Sequence, residues 1–318
     1  MPLENAQAPD AGTVLITGAS GFVGGVVALE AAGQGMTVHG CGSRDSSPGG
    51  FPGCWHRIPR TQEVGPLASV VSEVSPDIVI HAAGSASVAD SLRTPHQDLL
   101  ASLGSWSVTL EACRLSGQNP VIVFPSSAAV YGNPRSLPIS EETECNPVSP
   151  YGWHKVLCEN LARSHAAFFG ARIVIARLFS VIGIHQRRLL AWELFNQLRQ
   201  GAGPVRLMGS GEETRDFLSE QDMARALVLL ARQESRSPRS AQPLVVNVAS
   251  GEEVATSRLA GLLVDLCDPG RSVVCLGEVR HGDPLRWRAD VSRLKSLLPD
   301  LCPLSIEETL RQTVDGWR

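Results

Sequence analysis

The sequence lacks the features of a membrane protein or a nucleic-acid-binding protein. No apolar run approaches the ~18 residues that a membrane-spanning helix needs. A formal net charge of −4, a pI of about 6.1 and scattered arginines argue against a dedicated nucleic-acid surface. The first twelve residues have neither the basic nor the apolar part of a signal peptide. We therefore expect a cytoplasmic protein with no membrane and no nucleic-acid partner.

Cysteine is present but never in the spacing that binds metal. The eight cysteines include no Cys-x-x-Cys pair. This pattern fits neither a common zinc site nor a small disulfide-bonded scaffold. We predict no metal site, and mostly buried thiols in a reducing compartment.

Lysine and tyrosine are rare in this chain, with two of each in 318 residues. One of each, Tyr151 and Lys155, stand four residues apart in SPYGWHKVLCENLA. On a helix this spacing puts the phenol and the ammonium on one face, within reach of one small substrate. Because arginine is otherwise the preferred cation of this chain, a lysine here indicates a need for a compact ammonium.

Strand-like and helix-like segments alternate along most of the chain. TVLIT, MTVHGCGSR, DIVIHAAG, PVIVFPSS and RIVIARLF read as strands, and helical patterns lie between them. Such alternation predicts an α/β fold with a doubly wound, parallel Rossmann sheet. After residue 183 the alternation weakens, and PLVVNVAS returns one more strand. We expect a cofactor domain of residues 13–180 plus about 216–250, and a smaller, discontinuous C-terminal substrate domain of about 181–215 and 251–318.

A glycine-rich turn follows the first strand. Gly18, Gly21 and Gly24 form a GxxGxxG pattern between TVLIT and an apolar helix. Small residues there let backbone N–H groups approach a pyrophosphate at the positive end of the helix dipole. The strand–turn–helix context predicts a dinucleotide site.

The end of the second strand bears on which dinucleotide binds. An acidic residue is expected there if the adenosine ribose carries a free 2′-hydroxyl. This chain has Gly42, Ser43 and Arg44, and Asp45 lies past the expected position. Ser43 and Arg44 are suited to a 2′-phosphate. The pattern favours NADP(H), with NAD(H) as the alternative.

The motifs taken together resemble the extended short-chain dehydrogenase/reductase family, the NAD(P)-dependent sugar-nucleotide epimerases, dehydratases and reductases. The resemblance extends from Thr13 to Trp317 and rests on segments in the family's order. These are GASGFVG, HAAGSASV, SSAAVYG, YGWHK, ARLFSVIG, GSGEETRDFLSEQDMARAL, VNVASGEE and RHGDPLRWRADVSRLK.

The resemblance implies a catalytic set. Tyr151 would exchange a proton with the sugar 4-hydroxyl or 4-keto oxygen while hydride moves between C4 and the nicotinamide. Lys155 would favour the phenolate and hold the nicotinamide ribose, and Ser127 would hydrogen-bond the same substrate oxygen. By contrast, Tyr131 is expected to pack under the catalytic turn, and His154 to be a surface histidine on another face of the helix.

The resemblance also implies binding residues. For the cofactor these are Gly18, Gly21, Phe22, Val23, Gly24, Ser43, Arg44, His81, Ala82, Ala83, Tyr151 and Lys155. For the substrate they are Ser87, Ser127, Ser180, Arg215, Arg280 and Asp283. The two arginines would hold a nucleotide diphosphate, because a planar guanidinium binds phosphate oxygens in a fixed geometry.

Departures from the family pattern narrow the reaction. Dehydratases of the family carry Thr-Asp-Glu where this chain has Ser127, Ala128 and Ala129. Two alanines cannot supply the acids that remove water, so a 4,6-dehydratase is disfavoured relative to reduction or epimerisation at C4. Ala101 and Ser180 replace asparagines that are common in the family.

Three hypotheses follow. The first is an NADPH-dependent reductase of a nucleotide-linked 4-keto-6-deoxy sugar, similar to GDP-4-keto-6-deoxymannose reductases. The second is a sugar-nucleotide 4-epimerase that retains and recycles NAD. The third is a non-catalytic NADP-binding regulator, which the intact Tyr151–Lys155 pair disfavours. The family resemblance further implies a homodimer through the helices that span roughly 98–116 and 151–169. The apolar residues Trp106, Leu110, Leu157 and Leu161 are compatible with such a contact face, and core packing explains them nearly as well.

Overall fold

A seven-stranded parallel sheet forms the centre of the molecule. The computed structural model describes residues 11–59, 63–201, 203–278, 282 and 284–318. The strands in this part of the chain are β1 (Thr13–Thr17), β2 (Thr37–Gly42), β3 (Cys54–Arg57), β4 (Ile78–His81), β5 (Val121–Ser127), β6 (Arg172–Leu178), β7 (Ser180–Ile182), β8 (Val205–Leu207), β9 (Thr214–Arg215), β10 (Phe217–Ser219), β11 (Leu244–Val248), β12 (Val254–Ala255) and β13 (Val273–Cys275).

Helices cover the sheet and build the rest of the chain. They are α1 (Phe22–Gly33), α2 (Gly65–Val74), α3 (Val88–Arg93), α4 (Pro95–Leu99), α5 (Ser105–Leu115), α6 (Pro150–Phe169), α7 (Leu189–Gln200), α8 (Glu220–Arg236), α9 (Thr256–Cys267), α10 (Ser292–Leu297) and α11 (Ile306–Trp317). A π-helical segment, Leu100–Gly104, joins α4 to α5, and a 3₁₀ turn, Ala128–Val130, follows β5. Within the described ranges, no helix combines the length and the apolar character needed to cross a bilayer.

The order of the central sheet creates a crevice at its carboxyl edge. The strands lie in the order β11-β6-β5-β4-β1-β2-β3, and each neighbouring pair is parallel. Strands β2 and β3 are added on one side of β1, and β4, β5, β6 and β11 are then added on the other side. The reversal between β1 and β4 is the switch point at which ligands bind in open α/β sheets.

Both faces of the sheet are buried, as a parallel sheet requires. In β1, Val14 and Ile16 point to one core cluster and Leu15 to the other. Helices α1 and α8 cover the first face, and α2, α5 and α6 cover the second. This double coverage explains why the strands read as continuous apolar runs rather than as alternating ones.

The chain after β7 builds a third apolar cluster. It contains side chains of α7, α9 and α11 together with residues of the short strands β7 and β8. The buried Asp216 connects the segments between this cluster and the sheet: its carboxylate accepts hydrogen bonds from Ser250 N, Gly251 N and Ala289 N at 2.9–3.0 Å. One carboxylate therefore fixes three loops relative to one another.

Two local features differ from the sequence expectation. The single helix expected over residues 98–117 is divided into α4, the π segment and α5, where the Ser105 hydroxyl bonds to the Ala101 carbonyl. Strand β3 has no clear sequence signal, because its four residues, CWHR, are not apolar and form the edge of the sheet. The returning strand PLVVNVAS is β11, which pairs with β6.

Candidate active site

The glycine-rich turn has the geometry of a phosphate cradle. Gly18 has a φ of +67°, and a Cβ added there would lie 2.5 Å from the Ala83 nitrogen. A Cβ at Gly24 would lie 2.5 Å from the Gly18 carbonyl oxygen, so both positions require glycine. Helix α1 begins directly after Gly21, and in this fully described helix no side chain caps the first turn. Its N–H groups are therefore available to a phosphate, and the turn fits a dinucleotide.

His81 is buried behind this turn. Its Nδ1 lies 3.0 Å from Thr17 Oγ1 and 2.9 Å from Thr109 Oγ1. Burial, with a smaller contribution from the nearby Lys155 charge, lowers the pKa of His81 to about 3. The neutral ring thus links β1, β4 and α5. The next two residues, Ala82 and Ala83, pass beside the glycine-rich turn and are partly exposed.

Ser43 and Arg44 leave the end of β2 in an exposed loop. The next residue is Asp45, and its exposed carboxylate lies 2.9 Å from Arg57 Nε on β3. The acid closest in sequence to the expected ribose contact is therefore engaged with β3.

Tyr151 lies in the first turn of α6. Ser149 caps this helix by accepting a hydrogen bond from Gly152 N at 3.2 Å, and Pro150 occupies the first helical position. The Tyr151 backbone N–H bonds to Ser91 Oγ at 3.1 Å, which ties the turn to α3. The ring is partly exposed.

Lys155 lies one turn further along α6 and is 8% exposed. Its ammonium donates a hydrogen bond to the Pro125 carbonyl at 2.9 Å and lies 4.8 Å from the centre of the Phe124 ring. It also lies 5.8 Å from the centre of the Tyr151 ring. The structure therefore brings the predicted phenol and ammonium together at the end of β5.

Ser127 ends β5 and begins the 3₁₀ turn, where its hydroxyl accepts a hydrogen bond from Ala129 N at 3.2 Å. Helix α6 packs tightly on this turn: a Cβ added at Gly152 would lie 2.5 Å from the Ala129 carbonyl oxygen. Glycine beside Tyr151 thus permits the close approach that brings the helix to Ser127.

A buried polar network supports the catalytic turn from below. Arg177 on β6 makes two hydrogen bonds to the Glu159 carboxylate on α6, at 3.0 and 2.7 Å. Ser126 donates to the same carboxylate at 2.7 Å. Arg177 also donates to the Tyr131 hydroxyl at 2.9 Å, and that hydroxyl donates to Asn247 at 2.6 Å. Tyr131 is thus a buried structural tyrosine, and burial raises its pKa.

His154 is not the surface residue that its sequence position suggests. Its side chain is 12% exposed, and its Nδ1 lies 2.5 Å from the buried Asp98 carboxylate on α4. The pair joins α4 to the turn of α6 that carries Tyr151 and Lys155. Its partner is 56 residues away in sequence, so no local pattern announces it.

The described substrate residues other than Ser127 lie at three separate elements, α3, β7 and β9. Ser87 caps α3 by accepting a hydrogen bond from Asp90 N at 3.1 Å. Ser180 begins β7, and its N–H bonds to the Asp216 carbonyl at 3.0 Å. Arg215, on β9, is partly buried. Arg280 and Asp283 lie outside the described residues.

Trp287 connects Arg215 to the catalytic turn and was not identified from sequence. The Arg215 guanidinium lies 5.5 Å from the centre of the indole, and the indole N–H donates to the Gly132 carbonyl at 3.0 Å. The indole also packs edge-on against Phe179 at 5.9 Å. In the sequence, the tryptophan between charged residues in RWRAD is the one hint of such a role, and it does not indicate that Trp287 contacts Arg215 and Gly132.

A cavity of about 230 Å³ lies between α7 and β8. Its lining combines apolar side chains with a few polar ones. These residues are Leu190, Glu193, Leu194, Gln197, Arg206, Met208 and Leu276.

The fold and the tyrosine–lysine pair on α6 define a nicotinamide-dependent enzyme of the short-chain dehydrogenase type. The model of the NAD dependent epimerase/dehydratase family matches residues 14–249, and the chain belongs to this family. This confirms the resemblance found in the motifs.

Named relatives include both reaction types considered above. GDP-6-deoxy-D-mannose reductase of Pseudomonas aeruginosa is 30% identical over 76% of this chain and 80% of its own length. UDP-glucose 4-epimerase of Azospirillum brasilense is 30% identical over 90% of this chain and 86% of its own length. The solved structure of MoeE5 in complex with UDP-glucuronic acid and NAD has a TM-score of 0.83 and 27% identity, over 96% of this chain and 98% of that one.

We predict that Glu159→Gln lowers the free energy of unfolding by about 3–5 kcal/mol, because it leaves Arg177 buried without its counter-charge. Chemical denaturation measures the change. Arg163→Gln is the matched control, since Arg163 pairs with the same carboxylate at 3.5 Å from a more exposed position and should contribute at most about 1 kcal/mol. Equal losses in the two variants would contradict the assigned role of the buried pair.

Proposed function

We propose that this protein is an NADPH-dependent reductase that acts at C4 of a nucleotide-linked 4-keto-6-deoxy sugar. The observation that carries the chemistry at C4 is the placement of Tyr151 and Lys155 on one face of α6, against the turn that begins with Ser127. Reduction is favoured over epimerisation by Ser43 and Arg44 at the end of β2, which suit a consumed NADPH. The relation to GDP-6-deoxy-D-mannose reductase over 76% of the chain supports the substrate class.

The three side chains have distinct roles in this proposal. The Tyr151 hydroxyl donates a proton to the C4 oxygen as the carbonyl is reduced. The Lys155 ammonium, fixed by the Pro125 carbonyl, stabilises the phenolate that remains. Ser127 donates a hydrogen bond to the same oxygen and shares its developing charge.

The cofactor is placed by the residues at the carboxyl edge of the sheet. The turn from Gly18 to Gly24 would hold the pyrophosphate, Ala82 and Ala83 would line the crevice, and Ser43 and Arg44 would bind a 2′-phosphate. When bound there, the nicotinamide supplies the hydride. The end of β2 carries no acid at Gly42, Ser43 or Arg44, which supports NADPH, because a carboxylate there would bond a ribose 2′-hydroxyl.

The substrate would lie between two parts of the chain. In this division, residues 13–180 with about 216–250 hold the cofactor, and about 181–215 with 251–318 hold the sugar nucleotide. Arg215, supported by Trp287, would bind the diphosphate together with Arg280, Asp283 and Ser180. The cavity between α7 and β8 has the mixed apolar and polar lining that suits a nucleobase.

A 4-epimerase that retains NAD is the second candidate. It is supported by the relation to the Azospirillum brasilense UDP-glucose 4-epimerase over 90% of the chain. Both reactions use Tyr151, Lys155 and Ser127. Dehydration is disfavoured because Ala128 and Ala129 are buried and carry no acid, and a non-catalytic regulator is disfavoured by the intact tyrosine and lysine.

We also propose a homodimer through α5 and α6. Trp153, Leu157 and Phe168 on α6 are 51%, 43% and 79% exposed, and their spacing forms an apolar stripe. Trp106 and Leu110, expected on this face, are instead buried against the sheet. The contact face therefore differs from the expected one in its α5 residues.

We predict that Tyr151→Phe lowers turnover by about 10²–10⁴-fold, the usual contribution of a positioned proton donor. NADPH binding should change by no more than about two-fold, since the ring remains. A panel of nucleotide-linked 4-keto-6-deoxy sugars and calorimetric titration provide the two measurements. The matched control is Tyr131→Phe, which should cost mainly stability, about 1–3 kcal/mol, and reduce turnover far less than Tyr151→Phe does. Retained turnover in Tyr151→Phe would show that another group donates the proton.

We predict that the purified protein releases little nicotinamide nucleotide on denaturation and binds added NADPH more tightly than NADH. A reductase consumes its cofactor and must exchange it at each turnover, whereas an epimerase regenerates it in place. Chromatography of the denatured supernatant measures the nucleotide. Near-stoichiometric NAD would instead identify the epimerase and refute the assignment of Ser43 and Arg44.

We predict that Leu157→Glu converts the dimer to a monomer, because a charge in the centre of an apolar contact is left without a partner. Sedimentation velocity measures the molecular mass. Val274→Glu is the matched control, since Val274 is similarly exposed, at 42%, but lies on β13. A monomeric parent protein, or an unchanged mass in Leu157→Glu, would contradict this interface.

A further inference from the structure

Strand β3 lies beside the loop to which the cofactor preference was assigned. It pairs in parallel with β2, with Trp55 opposite Gly40 and Arg57 opposite Gly42. The loop of Ser43, Arg44 and Asp45 begins where this pairing ends. Side chains of β3 can therefore restrain the conformation of this loop.

Two side chains of β3 hold the loop at adjacent residues. The Trp55 indole N–H donates a hydrogen bond to the Arg44 carbonyl at 3.1 Å. The Arg57 guanidinium lies 2.9 Å from the Asp45 carboxylate. The ion pair is well exposed, with side chains 62% and 89% accessible, so it contributes little. The indole bond is made to the backbone of Arg44, so it is the contact that restrains the chain at that residue.

The indole is itself held in one place. A Cβ added at Gly42 would lie 2.6 Å from Trp55 Cη2 and 3.6 Å from Ser20 Oγ in the phosphate-binding turn. The ring thus lies against the backbone at the end of β2, close to the turn. Phe51 packs edge-on against it at 5.6 Å, and fills the corresponding space above Gly40. Two glycines on one face of β2 make room for this aromatic pair.

These contacts place an ordered indole between the phosphate-binding turn and the Ser43–Arg44 loop. A ribose bound at the end of β2 has its 2′ position on this side. Arg44 is exposed, and binding a phosphate with it requires ordering both its side chain and its loop, each at a cost in free energy. A fixed backbone lowers the part of this cost that comes from the loop. The bond to the Arg44 carbonyl supplies that fixation.

We propose that Trp55 is a specificity-determining residue: it positions Arg44 for the 2′-phosphate of NADPH and thereby sets the preference for NADPH over NADH. The proposal rests on the cofactor preference proposed above. Trp55 acts through Arg44, so its contribution is selective for the phosphorylated cofactor.

The test compares the dissociation constants of NADPH and NADH, measured by isothermal titration calorimetry on the full chain. Trp55→Phe keeps an aromatic ring against Gly42 and removes the N–H donor. We expect it to reduce the preference for NADPH by about five-fold, the effect of one lost hydrogen bond, with NADH affinity unchanged within about two-fold. Arg44→Gln should reduce the preference by about ten-fold or more, since it removes a charge-assisted contact to phosphate.

The control is Trp317→Phe on α11, which likewise removes an indole N–H bond to a backbone carbonyl, here that of Ile184 at 3.0 Å, and should leave both affinities unchanged. Thermal unfolding of each variant confirms that it is folded. Titration with 2′,5′-ADP and with 5′-AMP repeats the comparison without the nicotinamide half.

The outcomes separate the two proposals. If the parent protein does not prefer NADPH, or Arg44→Gln leaves the preference intact, the cofactor assignment fails and the role of Trp55 fails with it. If Arg44→Gln removes the preference but Trp55→Phe weakens both cofactors equally, or neither, only the role of Trp55 is overturned. A selective loss of NADPH affinity in Trp55→Phe supports it.

Discussion

The active site depends on one buried ion pair, between Arg177 and Glu159. It joins β6 to α6 directly beneath the turn that carries Ser127, and both side chains are almost fully buried. Burying two charges is costly unless the geometry is good and the remaining hydrogen-bonding capacity is used. Here Ser126, Tyr131 and the Glu141 carbonyl use it. The pair therefore acts mainly by fixing geometry. It sets the position of α6, which carries Tyr151 and Lys155, relative to the strands below.

The same principle of indirect support recurs around the site. Gly152 permits close packing of α6 on the Ser127 turn, the buried His81 ring joins the strands behind the glycine-rich turn, and Trp287 connects Arg215 to the Gly132 carbonyl. None of these three is a proposed reactant. Each restricts the position of a segment that is proposed to bind a ligand or to react, and preorganisation of this kind is what makes a catalytic constellation effective.

The sequence predicts the parts whose signal is local. TVLIT followed by a glycine-rich turn predicts β1, the cradle and α1, and the four-residue spacing of Tyr151 and Lys155 predicts their shared face on α6. The order of motifs predicts the family. What it does not predict are contacts between distant positions: His154 with Asp98, Trp287 with Gly132, and β3 beside β2. A short polar strand, a lone histidine and a lone tryptophan have many possible environments, and only the assembled sheet selects one.

The position of β11 at the edge of the sheet has a consequence for how the protein matures during synthesis. Asn247 on this strand accepts the hydrogen bond from Tyr131, although 116 residues separate them. Until the ribosome has delivered β11, strand β6 remains an open edge, and such edges pair readily with other chains. The hydrogen-bond network beneath the Ser127 turn is therefore completed late, when Asn247 reaches Tyr131. Nascent chains that stall before residue 244 would contain all of α6, including Tyr151 and Lys155, but would lack the strand that supplies Asn247 to the network beneath it.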